Sequence, residues 1–292
     1  MLLKELINKG IETISPLYPE RETREMVYAF LEHHIGTKRH THIIEPGYEV
    51  VDAVAAEALD AFGRMASGEP LQYVTGCAHF YGRQFHVTPD VLIPRPETEL
   101  LCQSVLNHVA SSHQVPASLK ILDLCTGSGC IAWTLALELP GAEVTAVDIS
   151  EGALKIASAQ DFSEEIAHTG AAAPSFIEAD VLSGPSETFQ KCDIIVSNPP
   201  YVMYKEKALM RPNVLEHEPH LALFVSDNDP LVFYRAVAEW ASVLLMPGGI
   251  GIVEINEALG RETAQLYLDA GFHFAEVIRD FSERDRFVIF RR

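Results

Sequence analysis

Asn198, Pro199, Pro200 and Tyr201 follow an apolar run, Cys192–Ser197, that is typical of a buried parallel strand. Proline fixes its own φ and restricts the residue before it, so backbone carbonyls at this point are held in one orientation. The Asn side-chain oxygen, a proline carbonyl and the Tyr ring would then form a slot of hydrogen-bond acceptors under an aromatic lid. Such a slot suits a planar nitrogen with two N–H bonds, as in an amide or the amino group of a base. The same residues also fit a plain turn after a strand.

A glycine-rich turn lies between another predicted strand and the helix that follows it. Its residues are Cys125, Thr126, Gly127, Ser128 and Gly129. Glycine lets the backbone come within contact distance of a ligand, and a helix N-terminus begins just behind the turn. The third glycine of the dinucleotide fingerprint is absent, because Ala132 stands at that position and the large Trp133 follows it. Many nucleotide-binding folds share the remaining pattern, so it does not identify the ligand by itself.

Acidic residues follow the next two predicted strands. Asp148 lies about 20 residues beyond the glycine turn, where a carboxylate can accept both hydroxyls of a ribose. Asp148 is also a possible N-cap, although Ser150 suits that role better. Asp180 could accept the amino group of adenine, and Val181 could cover one face of the ring. Four successive strand ends thus meet at one crevice of an open sheet, and together they predict a methyltransferase.

Strands that alternate with helices from about residue 119 predict an α/β fold with a parallel sheet covered on both faces. The last two strands are separated by a short turn and should pair antiparallel. The predicted strands span residues 120–124, 143–148, 175–178, 193–197, 249–255, 273–279 and 286–290.

The chain divides into three predicted segments. Residues 1–75 have apolar positions at helical spacing and predict a small all-helical N-terminal domain, which either docks the substrate or merely caps the fold. Residues 76–96 predict a β-hairpin linker with a further short strand at 91–93, ended by Pro94 and Pro96. Residues 97–292 are expected to form the catalytic domain.

The net charge of −19 disfavours stable binding to nucleic acid, which requires Lys and Arg to neutralise phosphates. No secretory signal or membrane-spanning run is present, so no membrane association is expected. The five cysteines form no C-x-x-C pair, and their odd number favours a reducing cytoplasm. The histidines at 33–42 and 217–220 lack the spacing of metal ligands, so no metal site is expected.

With these motifs the chain resembles the class I S-adenosylmethionine-dependent methyltransferases. Within that class it looks like the protein-glutamine methyltransferases that modify peptide chain release factors. The resemblance implies a Rossmann-like, seven-stranded, mostly parallel sheet preceded by the small helical domain and the hairpin linker. It covers nearly the whole chain and includes the segments 70–76, 93–99 (Ile-Pro-Arg-Pro-Glu-Thr-Glu), 125–129, 198–201, 218–223 and 247–249.

The resemblance implies transfer of a methyl group from S-adenosyl-L-methionine to the side-chain amide nitrogen of the glutamine in the Gly-Gly-Gln motif of release factors. S-adenosyl-L-homocysteine would be the product, and a monomer is expected. The glycine turn would contact the methionine part of the cofactor, Asp148 the ribose, and Asp180 with Val181 the adenine. Asn198 would touch both cofactor and substrate, and 199–201 would complete the substrate site.

Two other acceptors remain open. A sister enzyme methylates a glutamine of a large-subunit ribosomal protein, but it normally has Ser-Pro after the arginine where this chain has Pro96-Glu97-Thr98-Glu99. The DNA adenine-amino methyltransferases share the Asn-Pro-Pro-Tyr motif. The chain also departs from the family at Cys125, where glycine is usual, and at 256–258. These departures leave the role of the 256–258 loop open.

Overall fold

The computed structural model describes residues 1–112 and 118–292. These residues form two compact units, Met1–Cys77 with Met210–Glu218, and Ala78–Leu209 with Pro219–Arg292. The local sequence pattern does not indicate that residues 210–218 belong to the first unit. The three-segment division made from sequence stays a prediction.

The first unit is helical, because its apolar residues recur at helical spacing and bury one stripe of each long helix. Its helices are α1 (Leu3–Ile14), α2 (Glu20–Ile35), α3 (Thr41–Ile44), α4 (Asp52–Ala66), α5 (Leu71–Thr75) and α10 (Pro212–His217). Leu6, Ile14 and Phe62 are fully buried in the common core of the unit.

The second unit contains the remaining elements. Its helices are α6 (Pro96–Ser111), α7 (Cys130–Glu138), α8 (Glu151–Ser158), α9 (Ser163–Thr169), α11 (His220–Leu223), α12 (Val232–Leu244) and α13 (Gly260–Asp269). Its large sheet consists of β3 (Lys120–Leu124), β4 (Glu143–Asp148), β5 (Ser175–Glu178), β6 (Cys192–Ser197), β9 (Leu245–Glu254), β10 (Phe274–Arg279) and β11 (Asp285–Arg291).

Two small pairs of strands accompany the large sheet. The hairpin of β1 (Cys77–Phe80) and β2 (Arg83–His86) lies in the predicted linker, whereas β7 (Val202–Met203) pairs parallel with β8 (Phe224–Val225). The further strand predicted at 91–93 is wrong, because that segment is irregular. Val91 and Ile93 are buried without joining a ladder, and Pro94 and Pro96 have no N–H to donate to one.

The large sheet has the strand order β10-β11-β9-β6-β3-β4-β5. β3 pairs parallel with β4 and β6, β4 with β5, and β6 with β9, while β11 is antiparallel to both of its neighbours. The seven predicted strands and the antiparallel last pair are thus confirmed. Since the carboxyl ends of β3, β4, β5, β6 and β9 share one edge, the side chains that follow them come together there.

Both faces of the sheet are covered by helices, as the near-continuous apolar strands require. One face packs with α6 and α7 and includes Phe85, Leu101 and Trp133, and the other packs with α12 and α13 and includes Trp240 and Tyr267. The sheet is therefore a rigid platform for the residues at its carboxyl edge.

Gly251 in β9 must lack a side chain, because a Cβ there would lie 1.9 Å from Cζ of Phe290 on the neighbouring strand β11. We expect Gly251→Ala to lower the free energy of unfolding by about 3 kcal/mol through overpacking. Denaturant unfolding followed by tryptophan fluorescence reports on this unit, since Trp133 and Trp240 both lie in it.

Gly63→Ala in α4 is the control, because nothing lies within 4 Å of the added methyl group. It should not lower the stability of the protein, because the methyl group meets no neighbour and alanine is favoured over glycine inside a helix by about 1 kcal/mol. Equal stability of Gly251→Ala and the wild type would show that Phe290 does not fill the space described.

Candidate active site

A cavity of about 210 Å³ opens at the carboxyl edge of the sheet, within the second unit. Nine of the residues predicted for the site line it: Cys125, Thr126, Gly127, Ser128, Asp148, Asp180, Val181, Asn198 and Pro200. Among the described residues the lining includes neither Gly129, Pro199 nor Tyr201. The ends of β3, β4, β5 and β6 therefore meet at one cavity, and the individual roles of these residues stay predictions.

The glycine turn is held from both sides by hydrogen bonds. Thr126 donates its backbone N–H to the carbonyl of Val147 on β4 (3.0 Å) and its hydroxyl to Asp123 Oδ2 on β3 (2.6 Å). Gly127 has φ +55, and a Cβ there would meet nothing within 4 Å. This open space leaves the backbone of the turn accessible from the cavity.

The third position of the dinucleotide fingerprint is Ala132, and Trp133 packs behind the turn from the next position. The indole is buried and donates to the carbonyl of Ala157 in α8 (2.8 Å). A Cβ on Gly129, whose φ is +79, would lie 3.1 Å from Trp133 Cδ1 and 3.0 Å from Ala157 Cβ. An aromatic ring thus fills the space behind the turn, and Gly129 is the position that must stay small.

Asp148 is fixed by two backbone N–H groups rather than used as a helix cap. Its Oδ2 accepts from Gly127 (2.8 Å) and its Oδ1 from Ser150 (2.9 Å). Ser150 is the N-cap of α8, since its side chain accepts from the N–H of Ala153. Burial raises the pKa of Asp148, while the backbone hydrogen bonds lower it. Each carboxylate oxygen retains a lone pair for a ligand hydroxyl.

Asp180 caps the short 3-10 helix Val181–Ser183. Its Oδ1 accepts from the N–H of Leu182 (2.9 Å) and its Oδ2 from the hydroxyl of Ser183 (3.1 Å). Val181 is buried, and its carbonyl accepts from the Trp240 indole (2.9 Å). The side chains of Val181, Leu182 and Phe233 give the cavity an apolar wall.

A chain of hydrogen bonds runs from the cavity into the core. Asn198 Nδ2 donates to Thr98 Oγ1 (3.3 Å), and the Thr98 hydroxyl donates to Glu254 Oε2 (2.7 Å). Thr98 and Glu254 are 2% and 1% exposed. Burial raises the pKa of Glu254, whereas the hydrogen bonds from Thr98 and Tyr201 and the nearby Arg286 lower it.

Tyr201 is directed at the same carboxylate. Its hydroxyl donates to Glu254 Oε1 (3.0 Å), and its ring packs against the core cluster on the α12 side of the sheet. Burial, and then the charge of Glu254, raise the pKa of Tyr201 well above its usual range. The ring therefore supports the loop from behind in this structure, instead of forming the lid expected from the sequence.

The loop after β9 braces the Asn-Pro-Pro-Tyr segment. Asn256 donates from Nδ2 to the Tyr201 carbonyl (3.2 Å) and to Glu206 Oε2 (2.9 Å), and its own N–H donates to the Tyr234 hydroxyl (3.0 Å). Glu206 Oε2 also accepts from the N–H of Met203 (2.7 Å). The departure from the family noted at 256–258 thus has a structural role, which is to fix the backbone on the far side of Tyr201.

The cavity is also lined by residues that the sequence motifs did not indicate. The additional residues are Asp90, Val91, Leu92, Pro94, Arg95, Thr98, Cys130, Ile131, Ile149, Ser150, Ala153, Leu182, Pro219, Leu221, Ala222 and Phe233. Thr98 lies in the 93–99 motif, which was the available signal. Gln160 holds the end of the hairpin near the cavity, because its side chain pairs with both backbone groups of His86 and donates to the Ser128 carbonyl (3.2 Å).

The cavity fits the S-adenosylmethionine implied by the resemblance. Gly127 leaves room beside the turn, the Asp148 carboxylate is oriented for a diol, and Val181 with Phe233 supplies an apolar wall for a planar base. Within residues 1–112 and 118–292, no group of three or more His, Cys, Asp or Glu side chains is placed to hold a metal ion. No helix in that part of the chain is long and apolar enough to cross a membrane.

Comparison with known proteins gives two family matches. The PrmC N-terminal domain matches residues 5–76, and the Methyltransferase small domain matches residues 98–219. The chain is 37% identical over 288 residues to the release factor glutamine methyltransferase of Flavobacterium psychrophilum, covering 99% of this chain and 98% of that protein. It is 44% identical over 229 residues to that of Bacteroides thetaiotaomicron, covering 78% of each.

A solved structure has the same fold. The 16S rRNA methyltransferase RsmC of T. thermophilus, in complex with AdoMet and guanosine, is 19% identical, with a TM-score of 0.50. The similarity covers 74% of this chain and 49% of that one. At this identity the likeness extends to the fold alone.

The turn carries a strained residue, since Cys125 has φ 62, a left-handed value that a residue with a Cβ adopts at a cost of about 1–3 kcal/mol. We expect Cys125→Gly to raise the free energy of unfolding by about 1 kcal/mol, because relief of strain is partly offset by the greater freedom of the unfolded chain. Denaturant unfolding measures the change.

Cys192→Gly in β6 is the matched control, since that buried cysteine lies in a strand and is not among the left-handed residues. It should destabilise the protein. A Cys125→Gly variant that is destabilised as much as Cys192→Gly would contradict strain at the turn.

Asp123 should make the free energy of unfolding depend on pH. Burial raises its pKa from 3.8 to about 7, although the hydrogen bond from Thr126 lowers it. The folded protein therefore binds this proton more tightly than the unfolded chain does. The resulting stabilisation is fully present below the pKa of the unfolded chain and is lost as the pH rises through about 7.

The test compares the wild type with Asp123→Asn, which has the same shape and no charge. The free energy of unfolding of the wild type, relative to that of the variant, should fall between about pH 5 and pH 7. A difference independent of pH over that interval would mean that Asp123 titrates as an ordinary exposed carboxyl.

Proposed function

The chain belongs to the release factor glutamine methyltransferase family, and we propose that Asn198 orients the acceptor amide in the reaction of that family. The reaction is transfer of a methyl group from S-adenosyl-L-methionine to the side-chain amide nitrogen of a protein glutamine. The observation that carries the proposal is the Asn198 side chain, which lines the same cavity as the glycine turn and Asp148.

The acceptor sets the chemical problem. The lone pair of an amide nitrogen is delocalised into the carbonyl, so the nitrogen is a poor nucleophile. When bound, S-adenosyl-L-methionine supplies a methyl group on a positively charged sulfur, which leaves as the neutral thioether of S-adenosyl-L-homocysteine. The protein therefore has to orient the amide and exclude water more than it has to generate an anion.

Asn198 meets this requirement through its oxygen. With Nδ2 donating to Thr98, Oδ1 is left as an acceptor for one N–H of the substrate amide. We assign the Pro199 carbonyl to the second N–H, as the sequence predicts. Accepting both N–H bonds localises the lone pair toward the methyl donor. A new N–C bond would form as the S–C bond of the donor breaks, and one amide proton would pass to solvent after the transfer.

Pro200 and Tyr201 have supporting roles in this proposal. Pro200 lines the cavity and is buried, so it can contact the flat face of the substrate amide. Tyr201 acts through its hydrogen bond to Glu254. The cofactor side consists of residues 125–129, Asp148 and Asp180 with Val181.

The substrate that we propose is a peptide chain release factor, methylated on the glutamine of its Gly-Gly-Gln motif. The relatives are named for release factors, and the net charge of −19 disfavours stable binding to nucleic acid. We infer that the enzyme acts as a monomer in the cytoplasm. Its five cysteines are free thiols, which persist in a reducing compartment.

The direct test of the substrate incubates the enzyme with labelled S-adenosyl-L-methionine and a purified release factor. Parallel reactions contain the large-subunit ribosomal protein or duplex DNA. Mass mapping should find one added methyl group on the Gly-Gly-Gln glutamine. Label found only on the ribosomal protein or on DNA would overturn the assignment.

Asn198→Ala should reduce kcat for release factor methylation by about 100-fold or more, because an oriented acceptor at the reacting group is lost. Cofactor affinity should be partly retained, since the glycine turn and Asp148 are untouched. Steady-state kinetics and calorimetric titration with S-adenosyl-L-homocysteine measure the two effects.

Asn107→Ala removes the same group from an exposed position on α6 and should leave kcat unchanged. Near-normal turnover by Asn198→Ala would exclude the proposed role. Loss of cofactor binding together with turnover would instead indicate that Asn198 acts mainly in the cofactor site.

A further inference from the structure

We propose that Thr98 and Glu254 are positioning residues that set which end of the Asn198 side-chain amide faces the substrate. The inference rests on the proposed function of the cavity, because it concerns how Asn198 presents its oxygen there. Neither residue belongs to the Asn-Pro-Pro-Tyr segment, and they come from α6 and the end of β9.

An asparagine side chain fits a cavity equally well in two orientations that exchange its oxygen and its NH₂ group. Only one of them serves this reaction. With the oxygen toward the cavity, Asn198 accepts an N–H of the substrate amide. With NH₂ toward the cavity, it presents a donor to another donor, so the substrate nitrogen is repelled.

The number of available protons selects between the two orientations. A carboxylate accepts hydrogen bonds and donates none, so the Thr98 hydroxyl must direct its single proton to Glu254 Oε2 (2.7 Å). The oxygen of Thr98 is then left with lone pairs only. It can pair with Asn198 solely as an acceptor, which places Nδ2 against Thr98 (3.3 Å) and turns Oδ1 away from it.

Burial makes this arrangement effective. Thr98 is 2% and Glu254 1% exposed, so water does not compete for the Thr98 proton. The other carboxylate oxygen is occupied as well, because Oε1 accepts from the Tyr201 hydroxyl (3.0 Å). The carboxylate is thus held by two donors, and Oε2 stays aimed at Thr98.

The same hydrogen bonds link two segments that are far apart in the sequence. Asn198 and Tyr201 belong to one loop, and Glu254 is linked to both, to Tyr201 directly and to Asn198 through Thr98. Thr98 lies in the first turn of α6, immediately after the segment whose residues Pro94 and Arg95 line the cavity. The 93–99 motif and the Asn-Pro-Pro-Tyr loop are therefore coupled by one buried carboxylate.

The first test compares Thr98→Val with Thr98→Ser. Valine keeps the shape and loses the hydroxyl, so kcat for release factor methylation should fall about 100-fold, as for a misplaced catalytic group. Serine keeps the hydroxyl, and its kcat should stay within about threefold of the wild type. Binding of S-adenosyl-L-homocysteine should be similar in all three proteins.

Thr263→Val is the matched control. Thr263 in α13 is also fully buried, and its hydroxyl has no hydrogen-bond partner among the described residues. The variant therefore reports the effect of removing a buried hydroxyl without breaking the proposed link. It should retain the kcat of the wild type, and Thr98→Val with an equally normal kcat would overturn the proposal.

The second test is Glu254→Gln, which replaces the acceptor facing Thr98 by a group that can donate. Because Gln can direct its NH₂ at Thr98 and leave the threonine proton free for Asn198 Oδ1, the Asn198 amide should reverse. We expect kcat to fall about 100-fold with cofactor affinity retained. A Glu254→Gln enzyme with unchanged kcat would contradict the role assigned to the carboxylate.

A readout that needs no turnover separates this proposal from the proposed function. The side-chain amide protons of Asn198, assigned by their loss in Asn198→Ala, are followed by NMR in nitrogen-labelled protein. In the wild type one proton should exchange slowly with solvent, and in Thr98→Val both should exchange fast. Slow exchange in a wild type that methylates no release factor would refute the substrate and leave the positioning role standing.

Fast exchange of both Asn198 protons in an active wild type would refute the positioning role alone. The two proposals thus fail by different measurements.

Discussion

A carboxylate buried at the end of β9 is the constraint on which the substrate side of the site depends. Taking an ionised carboxyl out of water costs several kcal/mol unless hydrogen bonds replace the lost hydration. Glu254 obtains them from Thr98 and Tyr201, which approach from different parts of the chain. Because both donors are needed, the start of α6 and the loop after β6 are held against the same strand end, and the orientation of Asn198 follows from that.

The part of the site assigned to the cofactor is held in a similar way, by carboxylates on the neighbouring strands that accept hydrogen bonds from the glycine turn. Asp123 accepts the Thr126 hydroxyl and Asp148 accepts the Gly127 N–H, so carboxylates at the ends of β3 and β4 hold the turn between them. Trp133 fills the space behind the turn and donates its indole N–H to the Ala157 carbonyl. The two halves of the site meet along β6, where Ser197 donates to the Leu124 carbonyl (2.7 Å) and Asn198 follows.

The sequence was sufficient for the sheet, because buried parallel strands read as continuous apolar runs between turn residues. It was also sufficient to bring Asp148, Asp180, Val181 and Asn198 to one cavity, since parallel strand ends share an edge. The sequence did not indicate in which direction each of these side chains points. Tyr201 was expected over the cavity, yet it points into the core, because the partner that satisfies its hydroxyl lies 53 positions along the chain.

Hydrogen bonds between residues distant in the sequence also explain why other features of the site could not be predicted. Nothing near Thr98 indicates a hydrogen bond to Glu254, 156 positions away, and nothing near Asn256 indicates that it braces the Tyr201 carbonyl. Cys125 was noted as a departure from glycine, but its left-handed φ became evident only in the folded turn. Local patterns predict elements and their ends, whereas the partners of buried polar groups are decided by tertiary packing.

A crystal structure of the enzyme with S-adenosyl-L-homocysteine and a release factor, or a peptide containing its Gly-Gly-Gln segment, would show which atoms of Asn198 face the substrate. The glutamine Nε2 should lie about 3 Å from Asn198 Oδ1, with Asn198 Nδ2 still hydrogen-bonded to Thr98. A glutamine nitrogen bound elsewhere, or an Asn198 amide turned with its NH₂ toward the substrate, would contradict the orienting role of Asn198.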